Sequence, residues 1–147
     1  MKANKPSQAR ATARALPQSR TQHPHRILVV DEDRDLCRMY SEALAGLGYI
    51  VDAAEDGAAG WAALKANRYT LLITEHEIPT LTGVELVKMV RAARMALPVV
   101  MAAVRLPTYE LARNPSLQLA ATLSKPFVVD AFLDTVQNVL RAADSAR

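Results

Sequence analysis

The sequence predicts a doubly wound α/β fold, five parallel strands with helices on both faces, and three observations carry that expectation. Five strand-sized apolar runs alternate with stretches whose apolar residues recur every three or four positions. The runs are apolar throughout instead of alternating, the pattern of strands buried on both faces. Charged residues follow the first, third and fifth runs, and in a parallel sheet those exits share one edge. Such strands need helices on each face, joined by right-handed crossovers.

The first run, "RILVV" from Arg26 to Val30, ends in Asp31, Glu32 and Asp33. Leu36, Met39, Tyr40, Ala43, Leu44 and Leu47 then recur at helical spacing, with Gly48 as the stop signal. Residues 49–55 read as a shorter second strand, and Asp56 and Gly57 turn the chain into a helix over 58–66 that carries Trp61 and Leu64. Residues 69–75 are the third strand, apolar through the middle and closed by Glu75, with Pro79 in the loop beyond. Thr82 and Gly83 open a helix bearing Val84, Val87, Met89 and Val90, and residues 98–104 are the fourth strand. The next helix should be short. It breaks at Asn114 and Pro115, because an interior proline loses a hydrogen bond and clashes with the preceding turn. Residues 119–124 are the fifth strand, Lys125 and Pro126 follow it, and Val129, Phe132, Leu133, Val136, Val139 and Leu140 line a final helix.

A chain of 147 residues is the size of one ordinary domain, able to bury a core without disulfides or metals. Its 50% hydrophobic content is never continuous enough to cross a bilayer, so a soluble, cytoplasmic protein is expected. A single cysteine, Cys37, excludes an internal disulfide and a cysteine-based zinc site. Six of the 18 basic residues fall in residues 1–26 with no acid among them, which leaves 12 basic against 15 acidic residues, a net charge of −3, over 27–147. Residues 1–25 therefore read as a disordered basic leader, 26–143 as the folded domain and 144–147 as a short tail. The leader lacks the apolar core of a secretory signal. The last helix is followed by too few residues for an output module, so output is expected to pass through partners.

At the shared edge, Asp31 and Glu32 from strand one, Glu75 from strand three and Lys125 from strand five converge. Acidic residues with one lysine suit a hard divalent cation, magnesium above all, together with an anionic oxygen group. "DEDRD" stands where a glycine-rich phosphate cradle would follow strand one, which disfavours a dinucleotide or P-loop site. His76 is expected as an ordinary solvated residue of the rim, His23 and His25 as structural or incidental residues of the leader, Trp61 as core or groove filler and Cys37 as a packing residue.

Residues 26–143 resemble the receiver domain of two-component response regulators, through "ILVVDED", "GYIVDAAEDG", "LLITEHEIPTLTG", "PVVMAA" and "LSKPF" in order and at family spacing. The resemblance implies the flavodoxin-like strand order 2-1-3-4-5. It also implies transfer of a phosphoryl group from a histidine kinase to an aspartate with magnesium. It places Asp31 and Glu32 at the acidic pair that holds the metal, Glu77 where a backbone carbonyl is a ligand, and Lys125 where a lysine pairs with phosphoryl oxygens. Pro126 follows at a position whose preceding peptide bond is commonly cis, and Pro79 and Gly83 match the loop that shapes the pocket rim.

Three departures shape the expected function. Glu75 stands at the phosphoacceptor position, and its extra methylene displaces the carboxylate by more than the roughly 1 Å that can cost about a hundredfold in rate. Ala103 stands where receivers carry a hydroxyl that follows the phosphoryl group, and alanine offers no donor. Thr122 stands where an aromatic reports that hydroxyl. The expectation is a stand-alone atypical receiver, not an enzyme, that serves as a protein-interaction module without ordinary aspartyl phosphorylation and binds magnesium weakly if it binds it. Its partners are expected to be a histidine kinase or a downstream effector, with a homodimer open, although a short fourth helix weakens the family's phosphorylation-dependent dimer. The alternatives are a receiver phosphorylated at an unusual site, and a nucleic-acid-associated protein using its basic leader. Membrane insertion is not expected.

Overall fold

The strand that founds the sheet, β1 (Arg26–Val30), is wholly apolar after its first residue and lies inside the sheet, between β2 and β3. A computed structural model describes residues 24–146, so the expectations for residues 1–23, including the leader's disorder and His23, lie outside the described residues. The other elements are α1 (Arg34–Ala45), β2 (Ile50–Ala54), α2 (Gly57–Ala66), β3 (Leu71–Thr74), α3 (Gly83–Ala92), β4 (Val99–Ala103), α4 (Thr108–Arg113), β5 (Ala121–Ser124) and α5 (Val129–Ser145). All neighbouring strands pair in parallel, in the order β2-β1-β3-β4-β5, as expected.

Strand burial follows position. Every residue of β3 and β4 is buried, while the edge strands β2 and β5 are only partly covered. Alternate side chains feed two cores. Leu28, Val30, Leu72, Val99 and Met101 meet α2 and α3, and Ile27, Val29, Leu71, Ile73 and Val100 meet α1 and α5. Trp61 packs on the first core as filler, as expected.

Helix starts are encoded locally. The Asp33 carboxylate accepts from Leu36 N and that of Asp56 from Ala59 N, while Thr82 and Glu85 form a reciprocal capping box at α3. The break at Asn114 and Pro115 falls where it was expected: α4 has six residues, and Pro115–Leu117 is a single 3-10 turn. Arg91 fastens that turn, donating to the carbonyls of Leu117, Met95, Leu97 and Gln118, and its burial holds the guanidinium pKa below the ordinary value.

Two expectations are corrected. Helix α1 ends at Ala45 and is capped by Gly46, so Leu47 lies beyond the helical face and is exposed, while Gly48 closes the turn at φ +87°. His25 is no leader residue. It is half-buried, its Nδ1 lies 3.1 Å from Thr70 Oγ1, and its ring meets Tyr49 edge-on.

Tyr40 stacks with Phe127 and Phe132 inside the second core, and its hydroxyl is buried without a hydrogen-bond partner among the described residues. Burial first, then the charge of Asp31, pushes its pKa well above the ordinary phenol value. An unmade buried hydrogen bond costs about 1–3 kcal/mol. Tyr40→Phe should therefore leave the fold as stable or raise its unfolding free energy by about 1 kcal/mol, read by urea denaturation.

Candidate functional site

The C-terminal edge of the sheet is built by backbone pairing. Asp31 N donates to Ala54 O, Glu75 N to Val30 O and Lys125 N to Ala103 O, so three functional residues continue directly from β1, β3 and β5. The Lys125–Pro126 peptide bond is cis.

Lys125 Nζ lies 2.6 Å from Asp31 Oδ2 and 2.8 Å from Glu75 Oε1, and all three side chains are nearly closed to solvent, 12%, 4% and 9% exposed. The remaining oxygens are also engaged. Asp31 Oδ1 accepts from Asp33 N at 3.0 Å, and Glu75 Oε2 accepts from His76 N at 2.7 Å and Glu77 N at 3.3 Å. Burial alone would lower the lysine pKa, but the hydrogen bonds and charges of Asp31 and Glu75 outweigh it and hold it above the ordinary value. Lys125 is thus an ammonium clamped between two carboxylates, and the trio carries one net negative charge.

Of the residues expected at the site, Asp31, Glu75 and Lys125 come together. Glu32 and Glu77 do not: both are exposed and flank the trio from the loops. Among the described residues no group of three or more His, Cys, Asp or Glu converges to hold a metal ion. Asp31 and Glu75 could still offer oxygen ligands, but the cation position between them is taken by Lys125, so this arrangement fits a resident divalent ion poorly. Ala103 is fully buried beside the clamp, paired in register with Ser124, and Thr122 is exposed against a groove shared with Leu111, Pro115 and Leu119.

His76 corrects an expectation. Its side chain is only 12% exposed, Nδ1 accepts from Val84 N at 3.4 Å, and Nε2 faces Glu110 Oε1 at 3.6 Å. This links the exit of β3 to both α3 and α4. No local pattern signals the contact, since Glu110 lies 34 positions away on a helix whose placement depends on packing. Cys37 is a packing residue as expected, with its thiol donating to Asp31 O at 3.4 Å. Burial, then the charge of Asp31, pushes its pKa up to about 11.

Comparison with known proteins agrees with this geometry. Residues 27–137 match the family described as response regulator receiver domain. The chain is 30% identical over 122 residues to the probable transcriptional regulatory protein SilR of Salmonella typhimurium, covering 82% of this chain and 53% of that protein. It spans about half the length of the curated relatives it matches. A CheY-like receiver domain structure from Methanospirillum hungatei superposes with a TM-score of 0.80 at 20% identity, over 85% of this chain and all of that one. The response regulator TrrA of Thermotoga maritima, in complex with Mg2+–BeF, superposes with a TM-score of 0.70 at 23% identity, over 78% of this chain and 98% of that one. These last two likenesses concern the fold. Among the described residues no helix is long and apolar enough to cross a membrane.

Proposed function

The chain belongs to the response regulator receiver family, and from that premise we propose that it is an atypical receiver whose output is partner docking, uncoupled from aspartyl phosphorylation. Receiver domains are signalling modules of two-component systems, not enzymes, and their partners are histidine kinases and effectors. The observation that carries the finer reading is the clamp: the carboxylate at the acceptor position is Glu75, and both its oxygens are already bonded.

Two further features support it. Ala103 has no hydroxyl to follow a phosphoryl group, and Thr122 has no ring to report one. The contact from the site to α4 runs instead through His76 and Glu110. Magnesium, which accompanies BeF in the TrrA complex, would be held here by Asp31 and Glu75 only in competition with Lys125, so its use is weak. The receiver unit is assigned to residues 25–143, with residues 1–24 as a basic extension.

Incubation with acetyl phosphate and magnesium, or with a cognate histidine kinase, should leave the intact mass unchanged. An adduct near one phosphoryl equivalent, localised by fragmentation to Glu75 or Asp31, would overturn the reading in favour of phosphorylation at an unusual acceptor.

A further inference from the structure

The two edges of the sheet carry opposite charge. Across the C-terminal edge run the connections 31–33, 55–56, 75–82, 104–107 and 125–128, which hold seven carboxylates against two cations, Arg105 and Lys125. The connections across the N-terminal edge, residues 46–49, 67–70, 93–98 and 114–120, contain no aspartate or glutamate. Arg68 and Arg94 stand in two of them, and with Lys65 from the last turn of α2 they line a groove of about 720 Å3.

The outermost ions of both edges lack opposite charge among the described residues. Lys65 Nζ lies over the Trp61 ring at 5.6 Å, and no ion pair engages Arg68 or Arg94. The carboxylates near them are engaged: Asp52 meets Arg26 at 2.9 Å and the Tyr69 hydroxyl at 2.7 Å, and Asp144 faces His25 at 3.8 Å. At the opposite edge Glu32 and Glu77 are exposed, no ion pair engages either, and the buried trio beside them is itself net negative. Their loops follow β1 and β3, which are neighbours in the sheet. Arg68 precedes β3 and Glu77 follows it, so the two charges lie at opposite ends of one buried strand and cannot meet within a single copy.

We propose that the groove lined by Lys65, Arg68 and Arg94 receives the acidic loops after β1 and β3 of a second copy of this chain, so that copies associate head to tail along the strand direction. The groove is concave and cationic, and the loops bearing Glu32 and Glu77 supply the matching anions, a complementarity that fixes partner and orientation. The two surfaces are different patches of one chain, so the contact is heterologous. Each added copy brings a fresh groove and a fresh acidic edge, and growth does not stop at two. Exposed charges make the contact, which is therefore weak and strongly screened, since the Debye length is about 8 Å at 0.15 M salt. It uses neither the Glu75 carboxylate nor α4, and stands independently of the phosphorylation reading.

The test is sedimentation velocity of the full chain over a concentration series, at about 20 mM and about 300 mM salt. At low salt the mean size should grow past the dimer with concentration, and at high salt it should return to the monomer. A groove variant, Lys65→Gln, Arg68→Gln and Arg94→Asn, and an edge variant, Glu32→Gln and Glu77→Gln, should each associate about tenfold more weakly. Asparagine is used at position 94 because Arg94 sits at φ +59°, which asparagine tolerates. All five side chains are exposed, and an unchanged melting temperature verifies that the variants fold. The two variants mixed in equal amounts should form a one-to-one dimer of wild-type strength and stop there, because only one intact groove then meets an intact edge. A wild type that stays monomeric at low salt would overturn the proposal, as would association that ends at a dimer. Undiminished association of the edge variant, or no recovery on mixing, would overturn it too, by assigning the contact to other surfaces.

Discussion

Lys125→Met should lower the unfolding free energy by about 3–5 kcal/mol, because it removes the one cation between two buried carboxylates and leaves them facing each other. Methionine keeps most of the stem's volume, so the loss reports charge more than packing. Asp31 and Glu75 lie 2.6 and 2.8 Å from Nζ, too near one another for both to ionise freely once the ammonium is gone. The variant should take up a proton there, and its deficit should narrow as pH falls from 7 toward 4.

For the wild-type chain the sign is the same, stability falling as pH rises, but the window is alkaline. A lysine pKa raised by folding contributes stability that is complete below the unfolded value, about 10.4, and is lost as pH rises through the folded value. Urea denaturation of the wild type, Lys125→Met and the double variant Lys125→Met/Glu75→Gln at pH 7 and pH 4.5 checks each step. The double variant should regain most of the loss at pH 7. A deficit under about 1 kcal/mol in the single variant would mean that the clamp is no stronger than a surface ion pair.

The clamp also marks how far sequence reading reached. Strand-sized apolar runs and the proline break of α4 were legible because burial and helix termination are written in neighbouring residues. The convergence of Asp31, Glu75 and Lys125 was legible because parallel strands share an exit edge. That the lysine itself occupies the cation position was not, because it depends on side-chain reach across three strands. Leu47 was misplaced because spacing alone cannot tell the last helical residue from the first beyond it. His76 joins Glu110 only through the packing of α4, and His25 joins the body through Thr70 and Tyr49, contacts far away in sequence.

Gly83→Ala should be the second severe substitution, costing about 3 kcal/mol, although alanine is the better helix former by about 1 kcal/mol. A Cβ at Gly83 would stand 2.4 Å from Glu75 O and 2.9 Å from His76 Cα, both of them backbone atoms. Gly83 N also donates to His76 O at 2.8 Å, so the first turn of α3 rests directly on the exit of β3. Nothing flexible can yield. Either α3 retreats from the sheet and opens the core around Val84 and Val87, or the β3 exit moves and carries the Glu75 carboxylate away from Lys125. Gly46→Ala is the matched control: it caps α1 at φ −60°, and its nearest backbone atoms would lie 3.4 and 3.6 Å from the new Cβ. That exchange should raise stability by less than about 1 kcal/mol, since it restricts only the unfolded chain. Thermal unfolding of both variants, with the Lys125 ammonium followed by NMR at low temperature, separates the two outcomes for α3. A Gly83→Ala protein as stable as Gly46→Ala, with the Lys125 resonance unmoved, would show that the glycine is not the contact that seats the acceptor loop.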